Sequence, residues 1–133
     1  MTKTVLMVDD DPIDAYAVRR IVKRLQLDAR VEHVEDGEQA LAWLARADEM
    51  PCVVLLDLNM PRMNGRRFLQ LMRADARTHA LPVYIITTST REEDILACKE
   101  SGYSGYVLKS TELELFSDNM SAVLLDACEA PSE

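Results

Sequence analysis

The fold is decided by the stretch Val53-Val54-Leu55-Leu56-Asp57, in which four apolar residues run directly into one carboxylate. A short run that is apolar throughout is typical of a parallel strand that is buried on both faces of its sheet. Three further runs, 5–8, 83–86 and 106–108, have the same pattern and are followed by Asp9-Asp10, Thr87 and Lys109. Because the carboxyl ends of parallel strands meet at one edge of a sheet, we expect these polar side chains to surround one crevice.

Segments with helical period separate the strands. Asp11 and Pro12 predict the start of the first helix, because aspartate caps free backbone N–H groups and proline suits the first helical position. Capping boxes that begin at Thr90 and Thr111 predict the starts of the last two helices. The chain therefore reads as an alternation of strands and helices.

One strand of this alternation is weaker than the others. It is expected over about 29–34, where His33 interrupts the apolar pattern. Right-handed crossovers place helices on both faces of a sheet, so we predict an α/β fold of (βα)5 type. It is a doubly wound, flavodoxin-like, parallel five-stranded sheet in the order 2-1-3-4-5. We expect one domain over 1–128 and a flexible tail over 129–133.

Composition narrows the function classes. The chain of 133 residues has a formal net charge of -8, which opposes binding to a phosphate backbone and argues against a nucleic-acid partner. No apolar stretch approaches the roughly 20 residues that cross a bilayer. No targeting segment precedes the first strand, so we expect a cytoplasmic protein without a membrane partner. The cysteines, Cys52, Cys98 and Cys128, are odd in number and lack C-x-x-C spacing. This favours free thiols over a disulfide framework or a zinc site.

The acidic residues predict a metal site with phosphoryl-transfer chemistry. Carboxylates of Asp9, Asp10 and Asp57 held close together repel one another, and Mg²⁺, which prefers oxygen ligands, relieves that repulsion. A carboxylate oxygen of Asp57 can then attack a phosphoryl group in line, giving an acyl phosphate. The Lys109 ammonium and the Thr87 hydroxyl would stabilise the charged phosphoryl oxygens. Each residue alone fits a helix cap, a turn or a strand end, and their combination favours a site.

Further motifs surround these positions in a fixed order along the chain. They are Val8-Asp9-Asp10, Leu56-Asp57-Leu58-Asn59-Met60-Pro61, Gly65, Thr87, Tyr106 and Lys109. This set resembles the receiver domains of two-component response regulators, and the resemblance runs from about Thr4 to Leu125. The stretches 73–75 and 81–89 are most similar to stand-alone receivers that partner bacterial phytochrome-type sensor kinases. The resemblance implies a protein without an output domain that catalyses only its own phosphorylation and dephosphorylation, and that is not otherwise an enzyme.

The resemblance also implies a role for each acidic position. Asp57 would be the phosphoacceptor and a metal ligand. Asp10 would bind Mg²⁺ directly, and Asp9 would bind it through water. The backbone carbonyl of Asn59 would complete the metal shell, so the place of that residue matters more than its side chain.

The remaining roles concern the phosphoryl group and the response to it. Lys109 and Thr87 would contact the phosphoryl group, and Tyr106 would turn inward as Thr87 moves. The implied partner is a sensor histidine kinase or a histidine phosphotransfer protein. A weak homodimer through the fourth predicted helix, the fifth strand and the fifth predicted helix is also expected.

Two positions depart from the receiver pattern. Receivers usually follow the lysine with a proline in a cis bond, whereas this chain has Lys109-Ser110. A non-proline cis bond costs ~2.5–4 kcal/mol, so we expect a trans or strained link there. Thr88 is bulkier than the small residue often found after the switch threonine. It flanks the route of attacking water, so the phosphate lifetime does not follow from the sequence.

The main alternative is a docking module that keeps the fold but acts without phosphorylation. Two enzyme classes of the same topology are disfavoured. A haloacid-dehalogenase-like phosphatase would need a second aspartate as general acid, which Asp57-Leu58-Asn59 lacks. A flavodoxin would need a phosphate-binding loop after the first strand, and the acidic turn there would repel phosphate.

Overall fold

The computed structural model describes residues 2–57, 65–87, 103–108 and 113–128. The strands are β1 (Lys3–Val8), β2 (Ala29–Val34), β3 (Val53–Asp57), β4 (Val83–Thr87) and β5 (Gly105–Leu108). The helices within these ranges are α1 (Pro12–Arg24), α2 (Gly37–Arg46), α3 (Gly65–Ala74) and α4 (Leu113–Cys128). The helix predicted to begin at Thr90, the capping box at Thr111 and the tail 129–133 lie outside the described residues.

The sheet has the predicted topology. Its five strands lie in the order β2-β1-β3-β4-β5, and every pairing is parallel. The central strand β3 is buried at each of its five positions, as its apolar run predicts. At the edge, β2 has the predicted bounds, but of its six residues only Val31 is buried. An edge strand pairs on one side alone, which explains why the apolar alternation of β2 is poor.

Alternate side chains of the sheet enter two separate hydrophobic cores. In β1, Val5 and Met7 face α1 and α4, whereas Leu6 and Val8 face α2 and α3. The helices contribute to the first core Ala15, Val18, Ile21, Val22, Phe116, Met120, Val123 and Leu124. They contribute to the second core Ala40, Leu44, Phe68, Leu69 and Met72. Each fully buried large apolar side chain stabilises the fold by about 1.5–3 kcal/mol. A slip of one residue would turn a strand's side chains to the opposite face, so the two cores fix the register.

The two helices that follow β1 and β2 begin with aspartate caps. The Ile13 N–H donates to Oδ1 of Asp11 at 2.9 Å, and Pro12 is the first residue of α1, as predicted. The Gln39 N–H donates to Oδ1 of Asp36 at 2.9 Å at the start of α2. Caps of this kind typically stabilise a helix by about 1 kcal/mol. The two caps fix where α1 and α2 begin, and so they fix the turns that follow β1 and β2 at the carboxyl edge of the sheet.

Two further expectations concern thiols and membranes. Cys52 and Cys128 are free thiols, as predicted, and Cys98 lies outside the described residues. Cys52 directly precedes β3, whose first residue is Val53. Among the described residues, no helix combines the length and the apolar character that a membrane span requires.

Candidate functional site

The strand register sets the carboxyl ends of the central strands side by side. Val8 of β1 pairs with Leu56 of β3, so the next residues, Asp9 and Asp57, lie at the same level. Asp57 in turn pairs with Ile86 of β4, which continues the row across the sheet. This edge of an open α/β sheet is the one at which ligands bind.

Asp9, Asp10 and Asp57 form an acidic cluster at this edge. One carboxylate oxygen from each lies within 4.8 Å of the other two. Asp9 is fully buried and Asp57 is 7% exposed, whereas Asp10 is exposed. The structure thus brings together the three aspartates that the sequence predicts to converge. Because one member is exposed, a small ion can reach the buried pair from solution.

Three hydrogen bonds hold Asp9 in place, two with β2 and one with the turn that follows Asp9. Its N–H donates to the carbonyl oxygen of Val34 at 3.0 Å. The Asp11 N–H donates to Oδ1 of Asp9 at 2.9 Å. Nε2 of His33 lies 2.6 Å from the carbonyl oxygen of Asp9. Since a carbonyl oxygen only accepts, Nε2 of His33 carries the proton and donates it. The backbone of Asp9 is therefore fixed before any ligand arrives, which favours tight binding.

Sequence reasoning did not assign His33 to the site. It treats this residue as an interruption of the second strand, whereas the structure places it next to the acidic turn. His33 pairs with Met7 of β1, two residues before Asp9. The signal that could have found it is the strand order, because a donor near the end of β2 necessarily lies beside the turn that follows β1. His33 is a positioning residue, since it contacts the backbone of Asp9 rather than its carboxylate.

The donor set fits a hard divalent cation. Two like charges 4 Å apart near a protein surface repel by about 4 kcal/mol, so three clustered carboxylates oppose one another strongly. Oxygen ligands with an open side are what Mg²⁺ prefers, because it keeps several of its waters and uses few carboxylates. The cluster contains neither the thiolates nor the imidazoles that select zinc. The residues present therefore fit Mg²⁺ or a similar oxygen-seeking ion.

Two of the other predicted site residues, Thr87 and Tyr106, belong to described strands. Thr87 is the last residue of β4 and pairs with Leu108 of β5, which immediately precedes Lys109 in sequence. Tyr106 lies in β5 and its side chain is 47% exposed. Asn59 and Lys109 are outside the described residues, as are Thr88 and the Lys109-Ser110 link. The predictions for these four positions stay predictions.

A doubly wound parallel sheet with an acidic cluster at its carboxyl edge places the chain among the α/β proteins whose ligand site lies at that edge. The comparison with protein families is more specific. The model of the response regulator receiver domain matches residues 5–120. The chain belongs to this family.

Two relatives are similar in sequence over most of their length. Response regulator Rcp1 from Synechocystis sp. is 32% identical over 117 residues, which cover 84% of this chain and 80% of Rcp1. Protein PilH from Pseudomonas aeruginosa is 35% identical over 120 residues, which cover 90% of this chain and 96% of PilH. Both similarities therefore extend over most of the domain that carries the acidic cluster.

Two solved structures are similar in fold. The Mn²⁺-bound form of Rcp1 aligns with a TM-score of 0.87 and 27% identity over 98% of this chain and 97% of that one. The bacteriophytochrome response regulator RtBRR aligns with a TM-score of 0.74 and 34% identity over 91% of this chain and 78% of that one. The structural relatives thus include a phytochrome-associated receiver, as the sequence resemblance led us to expect.

Proposed function

We propose that this protein is a phosphoacceptor in a two-component system or phosphorelay. Asp57 accepts a phosphoryl group from the phosphohistidine of a sensor histidine kinase or a histidine phosphotransfer protein. The observation that carries the proposal is the acidic cluster, in which Asp57 lies with Asp9 and Asp10 within 4.8 Å. Membership of the receiver family supports the proposal. The burial of Asp57 also supports it, because a buried carboxylate is unfavourable unless a partner or a ligand compensates its charge.

Asp9, Asp10 and Asp57 would hold Mg²⁺, together with the backbone carbonyl of Asn59. The similar structure of Rcp1 is a form that binds Mn²⁺, a divalent ion that also takes oxygen ligands. When bound, the cation supplies positive charge that offsets the carboxylates and the transferring phosphoryl oxygens. Asp10, the exposed member, is the residue that an ion from solution meets first.

The chain's own residues perform the transfer. A carboxylate oxygen of Asp57 attacks phosphorus, the new O–P bond forms, and the P–N bond to the donor imidazole breaks. The Lys109 ammonium and the Thr87 hydroxyl stabilise the equatorial oxygens and contact them afterwards. Water later attacks the acyl phosphate and returns Asp57 to its carboxylate. These are single events on its own side chain, so we regard the protein as a switch rather than a turnover enzyme.

Phosphorylation would change a surface that other proteins bind. It adds roughly -1.5 to -2 charges beside Thr87. Differential contacts with that group shift an equilibrium between two arrangements of the neighbouring elements. Tyr106, which is 47% exposed in β5, would turn inward in the phosphorylated state. Output would pass through protein contacts in the cytoplasm. These would include a weak homodimer through the fourth predicted helix, β5 and the fifth predicted helix, which is α4.

The decisive experiment measures the intact mass after incubation with Mg²⁺ and acetyl phosphate. We expect the wild-type chain to gain about 80 Da, the mass of one phosphoryl group. Asp57→Asn should gain nothing, because an amide oxygen does not form a stable acyl phosphate. Asp126→Asn, a matched change of an exposed aspartate on α4, should gain the same mass as the wild type.

A wild-type chain that binds Mg²⁺ but gains no mass would contradict phosphoacceptance under these conditions. Absence of both mass gain and Mg²⁺ binding would support the alternative, a docking module that acts without phosphorylation. A gain that persists in Asp57→Asn would place the acceptor elsewhere.

A further inference from the structure

Two cysteines that are 76 positions apart in the chain meet at the amino edge of the sheet, opposite the acidic cluster. Sγ of Cys52, directly before β3, lies 2.8 Å from Sγ of Cys128, the last residue of α4. A disulfide bond is about 2.05 Å long, so the two sulfurs need to approach by less than one ångström to form one. Neither residue takes part in the acidic site or its proposed chemistry.

Both cysteines are anchored to β1, Cys52 through its N–H and its thiol and Cys128 through its backbone carbonyl oxygen. The Cys52 N–H donates to the carbonyl oxygen of Thr4 at 2.9 Å, and its Sγ lies 3.3 Å from the same oxygen. The Lys3 ammonium donates to the carbonyl oxygen of Cys128 at 2.7 Å. A lysine at the carboxyl end of a helix donates to a carbonyl group that has no partner within the helix, and its positive charge interacts favourably with the helix dipole. The pair is therefore built into the junction of β1, β3 and α4.

The two sulfurs differ in reactivity. Cys52 is half-buried and Cys128 is buried, so a small oxidant reaches Cys52 first. The hydrogen bond with Cys128 and the nearby Lys3 ammonium lower the pKa of the Cys52 thiol, although its burial acts in the opposite direction. A thiolate is the reactive form of cysteine, and a partially exposed position beside a cation favours it.

We propose that Cys52 and Cys128 are a redox pair that hydrogen peroxide converts to a reversible disulfide, fastening the end of α4 to the start of β3. The Cys52 thiolate attacks one peroxide oxygen. The S–O bond forms, the O–O bond breaks, and the departing hydroxide takes the proton that the thiol released, giving water. The Cys128 sulfur then attacks Cys52, the S–S bond forms, the S–O bond breaks, and a second water leaves with the Cys128 proton. Two electrons pass from the two sulfurs to the peroxide.

The consequence is a covalent tie between the end of α4 and the start of β3. α4 packs against α1, β5 and β3, and β3 carries Asp57 at its other end. A dithiol would reverse the bond by thiol–disulfide exchange. The inference does not depend on phosphoacceptance, because the thiols react whether or not Asp57 does.

The test uses the full chain in its reduced form, treated with hydrogen peroxide and then labelled with N-ethylmaleimide under denaturing, non-reducing conditions, so that buried thiols also react. We expect intact mass to show one maleimide adduct in place of three, and a non-reducing digest to contain a peptide pair linked through Cys52 and Cys128. Dithiothreitol should restore three adducts. Cys98→Ser should form the same linked pair, whereas Cys128→Ser should form none.

Thermal melting gives a second measurement on the unmutated chain. A disulfide that closes so long a loop restricts the unfolded chain, so the oxidised protein should melt on the order of 5 °C above the reduced one. Three maleimide adducts after peroxide treatment, or a linked peptide that contains Cys98, would overturn the proposal. An oxidised protein that melts at or below the temperature of the reduced form would contradict the fastening of α4.

Discussion

The carboxyl edge and the amino edge of the sheet differ in how their charged side chains are compensated. At the carboxyl edge, Asp9, Asp10 and Asp57 bring three like charges within 4.8 Å. At the amino edge, the Lys3 ammonium donates to the carbonyl oxygen of Cys128 at 2.7 Å. Like charges at close range need a cation from outside, whereas the lysine already has its acceptor within the fold. The comparison teaches that the charged groups at the amino edge find partners within the fold, whereas the carboxylates at the carboxyl edge need a ligand to compensate their charge.

The largest expected effect is a loss of Mg²⁺ affinity at the carboxyl edge. Asp10→Asn removes one anionic ligand while keeping the size of the side chain, so Mg²⁺ affinity should fall tenfold or more, about 1.4 kcal/mol. Isothermal titration calorimetry at constant ionic strength measures the change. Asp10 is exposed and makes little use of packing, so the variant should fold normally.

Asp126→Asn is the matched control for this comparison. It makes the same chemical change at an exposed position near the end of α4, on the amino side of the sheet. Its Mg²⁺ affinity should equal that of the wild type. Equal losses in both variants would mean that net charge, rather than the cluster, attracts the ion.

A smaller effect should follow from loosening Asp9 without touching a carboxylate. His33→Leu removes the donor that lies 2.6 Å from the carbonyl oxygen of Asp9. One hydrogen bond contributes about 1 kcal/mol, so Mg²⁺ affinity should fall about fivefold. The readout is again calorimetry, accompanied by urea unfolding to separate affinity from stability.

His33→Gln should restore most of that affinity, because its amide N–H can donate to the same oxygen. A purely structural role would lower the free energy of unfolding in the leucine variant and leave the Mg²⁺ affinity of the folded protein unchanged. That result would remove His33 from the site.

The two edges also differ in how far the sequence predicts them, and the acidic cluster at the carboxyl edge is the more predictable. The apolar run 53–56 is typical of a buried strand, and it fixes the place of Asp57 at a strand end. The order of the strands follows from general rules of chain crossover, so the meeting of Asp9 with Asp57 was predictable from the sequence. These features depend on local patterns and on a topology shared by many chains.

Other contacts depend on register and on where elements end, which no local pattern encodes. His33 reaches Asp9 because β2 pairs with β1 in one particular register. Cys52 meets Cys128 because α4 ends beside the start of β3, and cysteine spacing alone favoured unrelated free thiols. Those free thiols are confirmed for Cys52 and Cys128, but their proximity became visible only in three dimensions.

The smallest expected effect concerns the amino edge. Lys3→Gln removes the positive charge that, together with the hydrogen bond to Cys128, lowers the pKa of Cys52. A lost cation disfavours the thiolate, so the pKa of Cys52 should rise and the pH profile of its alkylation should move upward.

The measurement is the rate at which iodoacetamide modifies Cys52 between about pH 6 and pH 10, followed by peptide mass in a Cys98→Ser background. At neutral pH the glutamine variant should react about twofold to threefold more slowly, and the two rates should converge at high pH, where the thiolate is complete in both. Lys3→Arg keeps the charge and should follow the parent profile. A glutamine variant that reacts faster at every pH would mean instead that Lys3 shields Cys52 from the reagent by holding the end of α4 in place. The reactivity of Cys52 would then depend on packing at the amino edge rather than on the charge of Lys3.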